Sequence, residues 1–170
     1  MQLGTLIPQR DVDNSPSALR EFAQAAESLG YDYLEATDHV LGANAASRHD
    51  PFVMFGFLAG LTNLSFATGV LVITQRQAVL VAKQAASLDI LCGGRFRLGI
   101  GIGSNSAEFT ALNQDFHNRG RRSAEQVQVM QKLWATQNMS IEGNWHRIED
   151  SGINPRPASG RVPGSEGTTI

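Results

Sequence analysis

Four strand-then-helix units follow one another at nearly even spacing, and then the alternation stops. Candidate strands begin near residues 2, 31, 65 and 96, and helical stretches follow at 16–29, 51–61, 78–91 and 120–135. A strand, a crossover helix and a parallel strand make the repeating unit of α/β folds, and an even beat of such units predicts a (β/α) barrel. A closed barrel needs eight units, whereas these 170 residues hold four. The predicted fold class is therefore α/β, a truncated TIM-type barrel of about four parallel strands with outer helices.

The local signals agree with this reading. Ser15 suits an N-cap, Pro16 the first helical position and Gly30 the C-terminal stop. Leu19, Phe22, Ala23, Ala26 and Leu29 recur at helical spacing and form one apolar face. The third strand, 65–74, is an almost continuous apolar run, as expected where parallel strands are covered on both sides. The fourth, 96–102, alternates with glycine, and Gly93-Gly94 stops the helix before it. After Thr136 the character changes. Residues 139–148 read as a short strand pair or an irregular excursion, and 151–170, rich in Gly, Pro, Ser and Thr, read as an extended, partly mobile tail without a fifth strand. The expected organisation is a half barrel over 1–150 followed by a tail over 151–170.

Charge narrows the function classes. A net charge of −2 gives no field to attract nucleic acid or an acidic membrane. Charged residues make up 18%, below the roughly 25% of an average globular chain, which fits a face hidden against a partner. There is no basic-then-apolar leader and no apolar run long enough to span a bilayer, so a cytoplasmic location is expected. Cys92 is the lone cysteine and cannot form an internal disulfide.

Chemistry in parallel α/β proteins gathers at the C-terminal ends of the strands. That rule selects Thr37-Asp38-His39, then Thr68-Gly69-Val70 with Thr74 and Arg76, then Gly99 to Asn105. His39 is the leading candidate, because imidazole exchanges a proton near neutral pH and Asp38 stands beside it to orient it. His49, His117 and His146 lack ligand-like spacing to it, which argues against zinc. Gly99, Gly101 and Gly103 permit close approach of a flat ring or a phosphate. They miss the dinucleotide pattern, since Ser104 and Asn105 stand where its third glycine belongs. A tight barrel interior explains these glycines almost as well. Arg119, Arg121 and Arg122 form a basic cluster before the fourth helix, read as a solvated surface group. Trp134 and Trp145 read as packing residues.

The chain resembles the bacterial luciferase-like superfamily, and within it the deazaflavin (coenzyme F-420)-dependent oxidoreductases. The resemblance rests on the run from Glu27 to His39, on Asp50-Pro51-Phe52, on the run from Ala67 to Val72 and on the long run from Ala82 to Gly103. Glu108-Phe109, Arg119-Gly120-Arg121-Arg122, Leu133-Trp134 and Ile153-Asn154-Pro155-Arg156-Pro157 extend it to about residue 157.

The resemblance implies a barrel that binds F-420 or, alternatively, FMN, and transfers hydride or activates oxygen at the ring. It makes His39 the active-site histidine and Asp38 its neighbour at the ring. It makes Gly69-Val70 the ring-backing bulge with a non-prolyl cis peptide, a bond costing about 3–4 kcal/mol. Gly101, Ile102 and Gly103 line the same pocket. Ser104 stands where the sugar-phosphate dehydrogenases of that branch carry an acid, so a different substrate is implied. Relatives take much of the cofactor phosphate from late strands, which four units do not supply, so binding is expected to be weakened or lost. The alternative expectation is a catalytically incomplete half barrel that self-associates, because its open edges and inner face invite a homodimer or higher oligomer.

Overall fold

A computed structural model describes residues 1–12, 14–41 and 48–164. In chain order the elements are β1 (Gly4–Leu6), α1 (Pro16–Ser28), β2 (Tyr33–Thr37), α2 (Pro51–Ala59) and β3 (Ser65–Val72). A 3-10 turn (Ile73–Gln75) leads to α3 (Ala78–Leu91), β4 (Phe96–Arg97), β5 (Ile100–Gly101), α4 (Ser106–Ala111) and α5 (Arg119–Ala135). A hairpin of β6 (Met139–Glu142) and β7 (Arg147–Ser151) follows. The main sheet runs β1-β2-β3-β4, all parallel, with β5 also paired to β3. This is an arc of a (β/α) barrel with its helices outside.

Alternation along the strands fixes which residues meet the helices. Leu34 and Ala36 of β2 are fully buried, while Tyr33, Glu35 and Thr37 between them are half-buried. Phe66 of β3 and Phe96 of β4 pack with Phe55 of α2 at centroid distances of 5.2 and 6.3 Å. Burying each aromatic ring contributes about 2–3 kcal/mol. Alanines at 82, 85 and 86 let α3 lie close to the sheet, and Trp134 of α5 donates its indole N–H to Ala82 O at 2.9 Å. On the concave face Leu6 and Val70 remain 54 and 40% exposed. A closed barrel fills that interior with side-chain layers.

The helices fall where capping and periodicity put them, with one difference in detail. Ser15 occupies the N-cap of α1, yet its hydroxyl bonds Ser17 Oγ at 2.8 Å instead of a helix amide. Gly30, at φ +83°, ends that helix in the conformation only glycine takes without strain.

Three expectations need correction. The fourth strand is two short pieces: between them Thr68 Oγ1 accepts from Gly99 N (2.8 Å) in place of a backbone carbonyl, and donates to Gly99 O (2.7 Å), which also accepts Leu71 N at 2.9 Å. The segment after β7 is not simply an extended tail. Its apolar residues Ile153 and Val162 join the core, and Leu98 N donates to Pro163 O at 2.8 Å, making a parallel bridge between Leu98 and Gly164. This bridge covers part of the edge of strand four. Residues 165–170 lie outside the described residues. Finally, the cis peptide bond among the described residues is Asn154–Pro155, so Gly69–Val70 is trans, the form favoured by about 3–4 kcal/mol.

Candidate active site at the strand ends

The mouth is organised by a bulge in β3. Ala36 pairs with Thr68 and Thr37 with Val70, so Gly69 is the extra residue. The ladder then continues past β2, with Asp38 N donating to Val70 O at 3.1 Å. This turns Asp38 inward, where it is 3% exposed. Its carboxylate accepts Val72 N at 3.1 Å and takes the Arg76 guanidinium at both oxygens, 2.8 and 3.2 Å.

Arg76 reaches further, to Asp50 Oδ2 at 2.9 Å. The other oxygen of Asp50 caps α2, accepting Phe52 N and Val53 N at 2.9 and 3.2 Å. Burial alone works against the guanidinium charge, but the two aspartates outweigh it and raise the Arg76 pKa. The turn carrying Arg76 is held from behind by α5. Gln126 Nε2 donates to Ile73 O and Arg76 O at 3.1 and 2.9 Å, and Arg122 donates to Thr74 O. Thr74 Oγ1 donates to Ile102 O at 2.8 Å, tying this turn to the end of β5.

His39 stands beside this buried network with its side chain 53% exposed. Its partner is Glu108 of α4, not Asp38: Nδ1 lies 3.4 Å from Glu108 Oε1. The same oxygen accepts Val40 N and Leu41 N at 3.1 Å each, and Oε2 accepts Gln75 Nε2 at 2.8 Å. Glu108 is 1% exposed. Burial pushes its carboxyl up, yet the bonds from Gln75, Leu41 and His39 outweigh burial and hold it below the usual carboxylate range. Asp38 is fully engaged by Arg76 and Val72, so the expectation that it orients His39 is replaced by Glu108.

The glycines sit in close packing, in line with the tight-interior explanation of them. A Cβ on Gly101 would meet Val70 Cγ1 at 2.6 Å, and one on Gly103 would meet Val72 Cγ1 at 2.6 Å and Phe109 at 3.1 Å. One on Gly69 would strike the Glu35 side chain. The space they vacate is filled by neighbouring side chains and is not an open cradle. What the mouth offers a flat ring is apolar surface on Val70 and Ile102, 40 and 41% exposed, beside the half-exposed imidazole. A flavin-type ring fits this combination of apolar floor and polar edge, with Val70, Ile102 and His39 as the residues that would touch it. Two of the three clustered arginines serve the interior: Arg122 as above, and Arg119 stacked 3.7 Å from the Phe116 ring centroid. No three metal-ligating side chains gather among the described residues.

Glu108 carried a legible signal. Asn105-x-x-Glu108 is a capping-box pattern, and Asn105 Oδ1 does accept Ala107 N at 3.1 Å. The glutamate leaves that role and turns to the mouth instead. Arg76 stood out by its place after the third strand and Asp50 within Asp50-Pro51-Phe52, but the partners of both, and of Gln75, are distant in sequence and carried no signal.

A parallel arc with helices outside it and a polar network at the strand ends is part of a (β/α) barrel. The family follows from comparison: the luciferase-like monooxygenase model matches residues 1–165, and the chain belongs to that family. An FMNH2-dependent dimethylsulfone monooxygenase of Pseudomonas putida is 28% identical over 142 residues, covering 81% of this chain and 39% of the relative. An F-420-dependent glucose-6-phosphate dehydrogenase of Intrasporangium calvum is 32% identical over 152 residues, 84% of this chain and 46% of the relative. Among solved structures, a monooxygenase from Streptomyces bottropensis superposes with a TM-score of 0.84 at 23% identity, over 92% of this chain and 50% of its own. The chain therefore spans about half the length of the relatives it matches. No helix among the described residues is long and apolar enough to cross a membrane.

Proposed function

We propose that this chain forms the ring-binding mouth of an oxidoreductase that uses a flavin-type cofactor, F-420 or FMN, with His39 as its proton partner. When bound, such a ring supplies hydride transfer or oxygen activation. The protein's own contribution is to seat the ring on Val70 and Ile102, exclude water from that face and hold a proton at the imidazole of His39. One observation carries the reading: a half-exposed imidazole at the strand ends, backed by a buried carboxylate. It stands in a chain whose relatives are named for FMNH2 and for F-420. Ser104, where the resemblance places an acid in sugar-phosphate dehydrogenases, supports a different substrate. Titration of the protein with F-420 and with FMN, followed by ring fluorescence, tests it. Saturable binding of one of them is expected, and unperturbed spectra at millimolar ring would overturn it.

A second reading rests on the exposed concave side chains of Leu6 and Val70. A half barrel that self-associates would cover them, and sedimentation velocity should then show a dimer or larger species at micromolar concentration. A monodisperse monomer would remove this reading while leaving the first intact.

A further inference from the structure

We propose that Glu108 is the positioning residue for His39, taking up its Nδ1–H and leaving Nε2 as the atom that exchanges a proton at the mouth. The inference rests on the reading of His39 as a proton partner, and adds which nitrogen acts and what fixes it. A neutral imidazole carries one N–H and one lone pair, and the hydrogen bond made by one nitrogen decides the state of the other. Here Nδ1 faces a carboxylate oxygen that can only accept, so the proton resides on Nδ1 and the lone pair on Nε2. The side chain is 53% exposed while Glu108 is buried, so the Nε2 edge is the one presented outward.

The geometry also explains why one acid governs the ring so firmly. Glu108 Oε1 holds the amides of the two residues that follow His39, so backbone and imidazole are fixed by one atom. Gln75 fixes the other oxygen. The carboxylate cannot turn away without leaving both amides unpaired. If the neutral ring accepts a proton at Nε2, the imidazolium that results lies against an ionised carboxylate. If it then returns that proton, the pair is restored with no net change. The other charges near this loop, Asp38, Arg76 and Asp50, are paired with one another and leave Glu108 as the acid facing the ring.

The test reads the tautomer directly, with no cofactor or substrate present. In protein labelled with nitrogen-15 at histidine, the His39 ring of the full chain, above its titration, should show the Nδ1–H form. Solvent-exposed histidines favour Nε2–H, so this is a departure that a purely architectural Glu108 would not impose. Glu108→Ala should return His39 to the Nε2–H form. Glu108→Gln keeps an acceptor oxygen, and Gln75 Oε1, which has no partner among the described residues, can receive the new amide. That variant should retain Nδ1–H. Wild-type His39 in the Nε2–H form would overturn the proposal, as would an unchanged Nδ1–H tautomer in Glu108→Ala. Should Glu108→Ala fail to fold, the wild-type and Glu108→Gln spectra decide. Failure to bind F-420 or FMN would instead count against the proposed function and leave the tautomer result standing.

Discussion

Two carboxylates in this chain are built alike and used differently. Glu108 accepts His39 Nδ1 and the amides of residues 40 and 41. Glu125, on α5, accepts His146 Nδ1 at 2.8 Å and the amides of Asn144, Trp145 and His146 at 2.8 to 2.9 Å. Each acid gathers a short loop by its backbone and clips a histidine to it. The difference lies in the imidazole's far edge. The side chain of His146 is 8% exposed, whereas that of His39 is 53% exposed. The same constellation is therefore a staple under the β6–β7 hairpin and, at the mouth, leaves an imidazole edge open to solvent. A carboxylate–histidine contact alone does not mark an active site.

The comparison can be broken most directly by removing each histidine. His39→Ala is expected to lower turnover by about 10²- to 10⁴-fold with little change in ring affinity, and His146→Ala to leave turnover unchanged. Equal kinetic effects, measured with whichever cofactor binds, would erase the distinction. Next in size is Arg76→Ala. It strands the buried Asp38 carboxylate and should cost about 3–5 kcal/mol in urea unfolding, showing that the mouth depends on a charge pair where the staple depends on amides. Glu125→Ala removes the acceptor of three amides and should cost about 2–4 kcal/mol, with loss of amide-exchange protection in residues 143–146.

Acid sharpens the staple further. Desolvation raises the Glu125 pKa, but His146 and the three amides outweigh it and lower it from 4.5 to about 2. A carboxylate depressed on folding contributes stability above its unfolded pKa and loses it as pH falls through the folded value. The stability difference between wild type and Glu125→Gln should therefore shrink as pH drops from about 4.5 towards about 2. The smallest effect is expected from Gly143→Ala, whose Cβ would meet Glu125 Oε1 at 2.5 Å. Because that oxygen is held by several donors, the clash should cost about 1–2 kcal/mol, read from the same unfolding curves.

Much of the frame was legible because it is local. The period of Leu19, Ala23 and Ala26 and the stop at Gly30 locate α1, and the apolar run of β3 locates a buried parallel strand. The six-residue α4 is too short for periodicity to reveal, and the division of strand four hinges on Thr68, whose hydroxyl meets a backbone 31 residues away. The site was half visible. Position at the strand ends singled out His39, but its partner is 69 residues distant, and adjacency in sequence favoured Asp38 instead. Tertiary ion pairing decided against Asp38, since Arg76 had claimed it. The bridge between Leu98 and Gly164 escaped notice because Val162 beside it is an isolated apolar residue among Gly and Pro.

Arg76 grips Asp38 where β2 ends and Asp50 where α2 begins, so a single cation sets the separation of both footings of residues 39–49. The entropy of closing a chain between fixed points rises by only about 0.6 kcal/mol for each doubling of its length. The end of the second strand and the start of the second helix are held at a fixed spacing by a charge pair as well as by the chain that joins them.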